Sequence, residues 1–254
     1  MLNQFSLKGK VAIVTGSSRG LGQGIALGLA EAGADIVGIN HGSDEETKQR
    51  VEALGRQYLS LKADLISMHK KQLQDLVKQV VDYFGHVDIL INNAGIIRRE
   101  DSLDFSEKNW DDVMNINVKT VFFLSQAVAN QLIKQKTGGK IISIASMLSY
   151  QGGIRVPSYT AAKSGVKGIT MTMANEWAKY GINVNAIAPG YMATKNTAAL
   201  RDDDIRAGQI LERIPAGRWG TPQDVAGAAV FLASDAASYI HGFTLAVDGG
   251  WLAR

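Results

Sequence analysis

Short runs of β-branched and other apolar residues alternate along the chain with longer stretches of helical periodicity. Such short apolar runs are typical of strands buried on both faces of a sheet. Six runs predict strands: KVAIVT (10–15), DIVGIN (35–40), DILIN (88–92), KIISIA (140–145), NVNAIA (183–188) and FTLAV (243–247). A weaker seventh strand is predicted at QYLSL (57–61). The intervening stretches predict helices at about 20–32, 44–54, 68–84, 106–135, 158–180 and 222–234.

The regular alternation of strand and helix predicts right-handed βαβ units on a parallel sheet. We therefore expect an α/β fold in which residues 1–254 form one Rossmann-like, doubly wound domain of seven parallel strands with helices on both faces. Residues 191–221, here called the lid segment, interrupt the alternation, with helical periodicity around 201–212. Because long connections in compact domains are usually functional, we predict a substrate lid; a surface excursion without function is the alternative.

Composition narrows the function classes. The 254 residues are 46% hydrophobic and 20% charged, and the net charge of +3 is scattered without a Lys/Arg block. Neither a nucleic acid nor a membrane is therefore expected as a partner. The chain has no cysteine, which excludes disulfides and thiolate metal sites. No secretory signal or apolar run of about 20 residues is present, so we expect a cytosolic protein.

A glycine-rich turn, TGSSRGLG, follows the first predicted strand and begins the first predicted helix. Its glycines allow a tight turn, close approach of backbone to a pyrophosphate, and helix N–H groups aimed at the phosphates. The turn therefore predicts a dinucleotide site. The predicted contacts within it are Gly16, Ser18, Arg19, Gly20, Leu21 and Gly22.

The residues alone leave the choice between NAD and NADP open. NAD enzymes of this architecture carry an acidic residue about 20 positions beyond the glycines, but that position here is the neutral Asn40. Arg19 favours the 2′-phosphate of NADP, whereas the acidic run that begins at Asp44 would repel it.

Two further strand ends provide candidate coenzyme contacts. Asp64, in KADL, is a hydrogen-bond acceptor for the adenine amino group or, alternatively, a helix cap. In NNAG (92–95), small residues let the backbone lie against a coenzyme, and the two amides tie neighbouring strand ends together. The predicted contacts from these ends are Ala63, Asp64, Leu65, Asn93, Ala94 and Gly95.

Three tyrosines precede a lysine by four residues, at 58, 159 and 191. Only a helix points both side chains of such a pair the same way. Tyr58 lies on a predicted strand, where four residues span about 13 Å, and Tyr191 begins the lid segment. Tyr159 follows Pro157, a favoured helix start, so Tyr159 and Lys163 share one helix face.

Ser146 ends the fifth predicted strand, at the edge where ligands bind in open α/β sheets. Ser143, in mid-strand, and Ser149, further into the loop, are less favoured. Asn115 and Asn117 both fall inside a predicted helix, where asparagine is unfavourable. Such an amide can disturb the backbone and hold a water, and the residues alone do not choose between the two.

The chain resembles the short-chain dehydrogenase/reductase family in a series of motifs that occur in order along nearly its whole length. They are TGSSRGLG, NNAG, the asparagine of INV, Ser146, YTAAK and APG. The resemblance implies a nicotinamide coenzyme and a catalytic set of Asn117, Ser146, Tyr159 and Lys163. It also implies that Pro189, Gly190, Met192 and Thr194 flank the nicotinamide. Members are typically tetrameric, so a homotetramer is expected.

Longer stretches such as RREDSLDFSEKNWDDVMNINVK and VDGGWLAR are similar to a branch of that family acting on deoxy-keto sugar acids in uronate breakdown. That branch is usually NAD-dependent, which favours NAD without excluding NADP. For the substrate carboxylate the candidates are Arg155 and the pair Arg98–Arg99, because a guanidinium can bind it bidentately. Gln151 and Trp219 are candidate hydroxyl or ring contacts.

Two alternatives remain: a 3-oxoacyl-carrier-protein or diol reductase on the same scaffold, which Arg19 would suit, and a dinucleotide-binding protein without turnover. For the leading hypothesis we expect the Lys163 ammonium to lower the pKa of the Tyr159 phenol, which donates the proton. Ser146 would hydrogen-bond the reacting oxygen, and Asn117 would hold a water that resupplies protons. Neither His/Cys spacing nor a carboxylate cluster suggests a metal.

Overall fold

Seven strands form one parallel sheet in the order β3-β2-β1-β4-β5-β6-β7. They are seen in a computed structural model that describes residues 2–254, the side chain of Asn196 excepted. The strands are β1 (Val11–Thr15), β2 (Asp35–Asn40), β3 (Tyr58–Lys62), β4 (Ile89–Asn92), β5 (Gly139–Ile144), β6 (Ile182–Pro189) and β7 (Thr244–Val247). The predicted Rossmann-like fold is confirmed, and each strand lies within one or two residues of its predicted bounds.

Nine α-helices connect or follow the strands in the described part of the chain. They are α1 (Gly20–Glu31), α2 (Glu45–Ala53), α3 (Lys70–Phe84), α4 (Glu107–Met114), α5 (Val121–Gln135), α6 (Pro157–Trp177), α7 (Ala198–Arg201), α8 (Asp204–Arg213) and α9 (Pro222–Ala233). Successive strand residues enter opposite cores: Ile13 packs in the layer with α3 and α5, and Val14 in the layer with α1 and α9. This double burial explains the continuous apolar runs in the strands.

The single helix predicted over 106–135 is divided. A π-helical turn, Asn115–Thr120, separates α4 from α5. Asn117 lies within this turn, fully buried, and its amide bonds the backbone of Ile96 rather than pointing to solvent. Because asparagine is a poor residue for a helix interior, the α-helical hydrogen-bond register gives way at this point.

The lid segment contains the helical periodicity that was predicted for it. A 3-10 turn (Lys195–Thr197) and α7 precede α8, which covers most of the predicted 201–212 stretch. Met192 forms a parallel bridge with Gly220, and this bridge joins the two ends of the segment. Ile210 and Ile214 bury their side chains in a small separate core with Met147 and Trp251.

The sheet order places the switch in winding direction between β1 and β4. Helices that follow these two strands leave toward opposite faces, so a crevice forms at their carboxyl ends. The glycine-rich turn, NNAG, Ser146 and the start of the lid segment all follow strands at this edge. No described helix has both the length and the apolar character required to cross a bilayer.

Candidate active site

Tyr159 and Lys163 lie on one face of α6, as the spacing predicts. The Lys163 Nζ is 5.5 Å from the centre of the Tyr159 ring. Tyr58 instead directs its hydroxyl to Asp44 from β3, and Tyr191 packs edge-on against aromatic rings in the lid segment. The geometric choice among the three tyrosine–lysine pairs is therefore confirmed, while the catalytic role of the pair stays a prediction.

Lys163 is fixed against the carboxyl end of β5. Only 5% of the residue is exposed, and its Nζ donates a hydrogen bond of 2.5 Å to the Ile144 carbonyl. The Ser149 hydroxyl donates to the Lys163 carbonyl at 2.6 Å. Burial lowers the pKa of the Lys163 ammonium to about 8. The bond from Nζ orients the side chain, but desolvation makes its charge less stable than in water.

The pKa of the Tyr159 phenol is raised, chiefly because burial disfavours the phenolate. The Ser146 hydroxyl and the positive charge of Arg99 act in the opposite direction and lower it. The expectation that Lys163 lowers this pKa below its ordinary value was wrong on two counts. Desolvation is the larger effect, and the cation that acts on the phenol is Arg99.

Ser146 is the serine that the structure brings to Tyr159. Its Oγ accepts a hydrogen bond of 3.1 Å from the Leu148 backbone N–H, at the start of a short 3-10 turn. Ser143 accepts from Asn92, and Ser149 donates to the backbone of α6, so both competitors serve structural bonds. Because the Leu148 bond uses only a lone pair of Ser146, its O–H remains a donor, which acts on the Tyr159 phenol here and can be donated to a substrate oxygen bound beside it.

The Asn117 amide is a clamp on the loop after β4. Its Oδ1 accepts from the Ile96 N–H at 3.0 Å, and its Nδ2 donates to the Ile96 carbonyl at 2.9 Å. Both ends of the amide thus have protein partners. In the structure this side chain fixes the loop after NNAG, and its expected role in holding a water stays a prediction. Asn115 ends α4 and forms no such clamp.

The glycine-rich turn fits the phosphates of a dinucleotide. Gly16 and Gly20 have φ values of 68° and 58°, a region that favours glycine. A Cβ on Gly22 would lie 2.1 Å from the Gly16 carbonyl oxygen, so only glycine permits the close turn into α1. Of the other predicted contacts here, Ser18 and Leu21 are partly buried and Arg19 is exposed.

Asn40 belongs to a buried hydrogen-bond network beneath this turn. Its Oδ1 accepts from the Ser18 N–H, and its Nδ2 donates to Ser17 and to the Asp44 carboxylate. Asp44 also accepts from the hydroxyls of Tyr58 and Ser60, at 2.7 Å each. Burial is the main cause of the raised pKa of Tyr58, which therefore stays a donor. The turn is thus held by an amide and supported by a buried carboxylate.

The remaining coenzyme candidates lie at neighbouring strand ends. Asn93 donates from its side chain to the Thr15 carbonyl at 2.9 Å, which confirms that this amide ties strand ends together. Asp64 accepts from Ile66 and Ser67, so it caps a short turn rather than the helix that begins at Lys70. Ala63 and Leu65 are buried beside Asp64, whereas Ala94 is partly buried and Gly95 exposed beside Asn93.

The APG stretch connects β6 to the lid segment. Pro189 is the last residue of β6, and the Gly190 N–H donates to Val247 of the neighbouring strand. Met192 is buried at the base of the segment, and Thr194 begins its 3-10 turn. These residues lie at the same sheet edge as Ser146, where the family resemblance requires them.

The structure separates the candidate arginines. Arg99 is close enough to Tyr159 to act on its pKa. Arg155 has a left-handed backbone, φ 62°, and its Nε is 3.2 Å from Asp101 in an exposed ion pair. Arg155 and Asp101 line an open cavity of about 370 Å³. Arg99 is therefore the arginine placed with the candidate catalytic residues, and Arg98 is partly buried beside it.

Gln151 and Trp219 have protein partners. Trp219 packs edge-on against Tyr191, with ring centres 5.4 Å apart. The Gln151 Oε1 accepts from Trp251 at 3.2 Å and lies 3.4 Å from the Arg213 guanidinium. The sequence analysis missed Trp251 and Arg213. The tryptophan that follows two glycines near the chain end, in DGGW, was the available signal.

The chain is similar to known proteins over its whole length. A family model described as Enoyl-(Acyl carrier protein) reductase matches residues 16–252. The 2-dehydro-3-deoxy-D-gluconate 5-dehydrogenase of Dickeya dadantii is 66% identical over 256 residues, and that of Escherichia coli K12 is 65% identical over 254; each alignment covers 100% of both chains. A solved structure from Agrobacterium tumefaciens with bound NADP is 55% identical, with a TM-score of 0.93, covering 99% of this chain and 100% of that one.

The burial of Lys163 predicts a pH-dependent stability. A lysine in the unfolded chain has a pKa of about 10.4, so between pH 8 and 10 the unfolded state binds more protons than the folded one. The free energy of unfolding therefore increases as the pH rises, and the folded protein becomes more stable. Relative to Lys163→Met, which does not titrate, we expect the wild type to gain about 2 kcal/mol from pH 8 to pH 10 in urea denaturation. A wild-type-minus-variant difference that stays constant with pH would contradict this assignment.

Proposed function

Because the chain belongs to the short-chain dehydrogenase/reductase family, we propose that it is an NAD(P)-dependent oxidoreductase acting on a deoxy-keto sugar acid. The reaction interconverts the 5-hydroxyl of 2-dehydro-3-deoxy-D-gluconate and the 5-ketone of 3-deoxy-D-glycero-2,5-hexodiulosonate. The observation that carries the proposal is the buried Tyr159 phenol one helical turn from Lys163, with a pKa that both the Ser146 hydroxyl and the Arg99 charge lower. The full-length identity of 66% to a named sugar-acid dehydrogenase supports the substrate.

The chain's own residues provide the proton and the charge stabilisation. A bound nicotinamide supplies hydride to the carbonyl carbon, or accepts it in the reverse direction. Tyr159, whose raised pKa keeps it protonated at neutral pH, donates its proton to the ketone oxygen. Ser146 donates its free O–H to the same oxygen as negative charge develops there. Lys163 holds α6 on β5 and so keeps the phenol at this position.

Arg99 is the proposed partner for the substrate carboxylate. Its charge acts on the Tyr159 phenol, so a carboxylate bound to it would be held on the same side of the site as that phenol. A guanidinium binds a carboxylate bidentately, which orients the sugar chain as well as attracting it. Arg155 is left to the Asp101 ion pair at the cavity mouth.

We propose NAD as the preferred coenzyme of this chain. The Asp44 carboxylate, 6% exposed and held by Asn40, Tyr58 and Ser60, places a negative charge beneath Ser18 in the glycine-rich turn. This charge disfavours a 2′-phosphate, whereas the exposed Arg19 favours one. Coulomb energy is larger for a buried charge than for a solvated one, so Asp44 has the stronger influence.

The family resemblance also supports a cytosolic homotetramer, with residues 191–221 as a lid over the substrate. Strand β7 lies at one edge of the sheet, and Phe243 beside it is 55% exposed. Tyr239, in the preceding loop, is 98% exposed. These aromatic side chains support an interface between subunits along this edge.

Initial rates test the proposed substrate and coenzyme directly. NADH and NADPH are each combined with 3-deoxy-D-glycero-2,5-hexodiulosonate, with acetoacetyl thioesters and with 2,3-butanedione. We expect the highest kcat/KM with the sugar acid and NADH. A preference for the thioester would replace the proposal with an acyl-chain reductase, and binding of NADH without turnover of any carbonyl would indicate a protein that only binds the coenzyme.

Two tyrosine variants test the assignment of the proton donor. Tyr159→Phe removes the donated proton but leaves the ring, so we expect kcat to fall about 100- to 10,000-fold while NADH binding, measured by fluorescence, is unchanged. Tyr191→Phe is the matched control, because the Tyr191 hydroxyl has no hydrogen bond among the described residues. Equal kinetics in the two variants would refute the role of Tyr159.

Paired arginine variants test the carboxylate site. Arg99→Gln removes the charge that acts on Tyr159, so KM for the sugar acid should rise about tenfold or more, with little change for neutral 2,3-butanedione. Arg155→Gln, which breaks an exposed ion pair, should raise KM less than threefold. A larger effect at Arg155 than at Arg99 would move the carboxylate site to the cavity mouth.

A further inference from the structure

Three parts of the chain meet at the side chain of Gln151. The indole Nε1 of Trp251, in a 3-10 turn near the chain end, donates to the Gln151 Oε1 at 3.2 Å. The guanidinium of Arg213, the last residue of α8 in the lid segment, is 3.4 Å from the same oxygen. The guanidinium carbon also lies 4.0 Å from the centre of the Trp251 ring, so the two donors are stacked.

The chemistry of these two partners fixes the orientation of the amide. An indole N–H and a guanidinium donate hydrogen bonds and cannot accept them. The Gln151 oxygen must therefore face Trp251 and Arg213, and its NH₂ group must point the other way. Within the described part of the chain, no acceptor is bonded to this NH₂ group. Gln151 is thus a side chain with its acceptor engaged and its two donors available.

The surroundings hold Trp251 rigidly in place. The residue is 5% exposed and packs with Met147, Ile210 and Ile214. Gly249, with φ 65°, lies so close to the base of α8 that a Cβ would be 2.9 Å from Ile214. Because Trp251 is held in place, the Gln151 amide that it hydrogen-bonds has little freedom to rotate.

This amide is linked to the candidate active site through Trp251, which packs in one small core with Met147, the residue directly after Ser146. Gln151 follows Ser146 by five residues and precedes Tyr159 by eight. Trp251 packs against Tyr191, with ring centres 4.8 Å apart, and Tyr191 directly follows Gly190 at the sheet edge. Through Trp251, Gln151 is therefore connected to both the Ser146 loop and the lid segment.

We propose that Gln151 donates to the α-keto acid end of the substrate and that Trp251 is the positioning residue that sets this donor. This inference rests on the proposed function, because the carboxylate and 2-keto oxygens of a 2-keto sugar acid only accept hydrogen bonds. A rotatable glutamine would tolerate a hydroxyl or an amine there equally well. Fixed with its donors directed away from Trp251 and Arg213, it selects for oxygens that only accept.

Two substitutions separate the donor from its support. Trp251→Phe keeps the ring and its stacking with Arg213 but removes the indole N–H. We expect KM for the sugar acid to rise about fivefold, the effect of one weakened hydrogen bond, with kcat and KM for NADH unchanged. Gln151→Glu keeps an acceptor for both partners but replaces the donor by an anion, so KM should rise about 30-fold or more. Thermal denaturation of each variant checks that the fold is retained.

Neutral 2,3-butanedione provides the control substrate, since it has no carboxylate to which Gln151 could donate. Equal KM increases for 2,3-butanedione and the sugar acid would show a general loosening of the site and overturn the proposal. An unchanged KM for the sugar acid in Gln151→Glu, with normal wild-type turnover, would overturn this inference alone. Absence of sugar-acid turnover in the wild type would overturn the proposed function and this inference together.

Discussion

The attachment of α6 to the carboxyl end of β5 is the contact on which the site depends. Lys163 donates to the Ile144 carbonyl from a buried position, and Ser149 bonds back to the Lys163 carbonyl. A buried ammonium is costly unless it is hydrogen-bonded, so this bond leaves α6 one favourable position on the sheet. Tyr159, one turn earlier on the helix, is thereby held beside Ser146.

Side-chain amides likewise hold neighbouring backbone segments in place at the carboxyl ends of the strands. Asn92 bonds Ser125 and Ser143, and Asn93 bonds the Thr15 carbonyl of the adjacent strand. Asn117 clamps the loop that follows, and Asn40 holds the glycine-rich turn. Buried polar networks whose members are fully satisfied define one arrangement of the backbone. These amides therefore favour one arrangement of the loops that line the crevice.

The sequence predicts most of the fold because its strands are short, continuous apolar runs and its helices have clear periodicity. It also identifies Tyr159 and Lys163, since a four-residue step on a helix is a local geometric relation. The sequence does not predict contacts between residues that are far apart along the chain. The contact of Trp251 with Gln151 spans 100 residues, and no periodicity records it. The direction of the Tyr159 pKa also depends on burial, which spacing does not reveal.

The proposed function requires that the Tyr159 phenol and the Ser146 hydroxyl together receive the oxygen that is reduced. A crystal structure of the complete enzyme with NAD and 2-dehydro-3-deoxy-D-gluconate measures this most directly. We expect the substrate C5 oxygen within hydrogen-bonding distance of both hydroxyls, with the carboxylate directed to Arg99. A C5 oxygen bound away from Tyr159, or a Tyr159 hydroxyl buried in a contact between subunits, would contradict it.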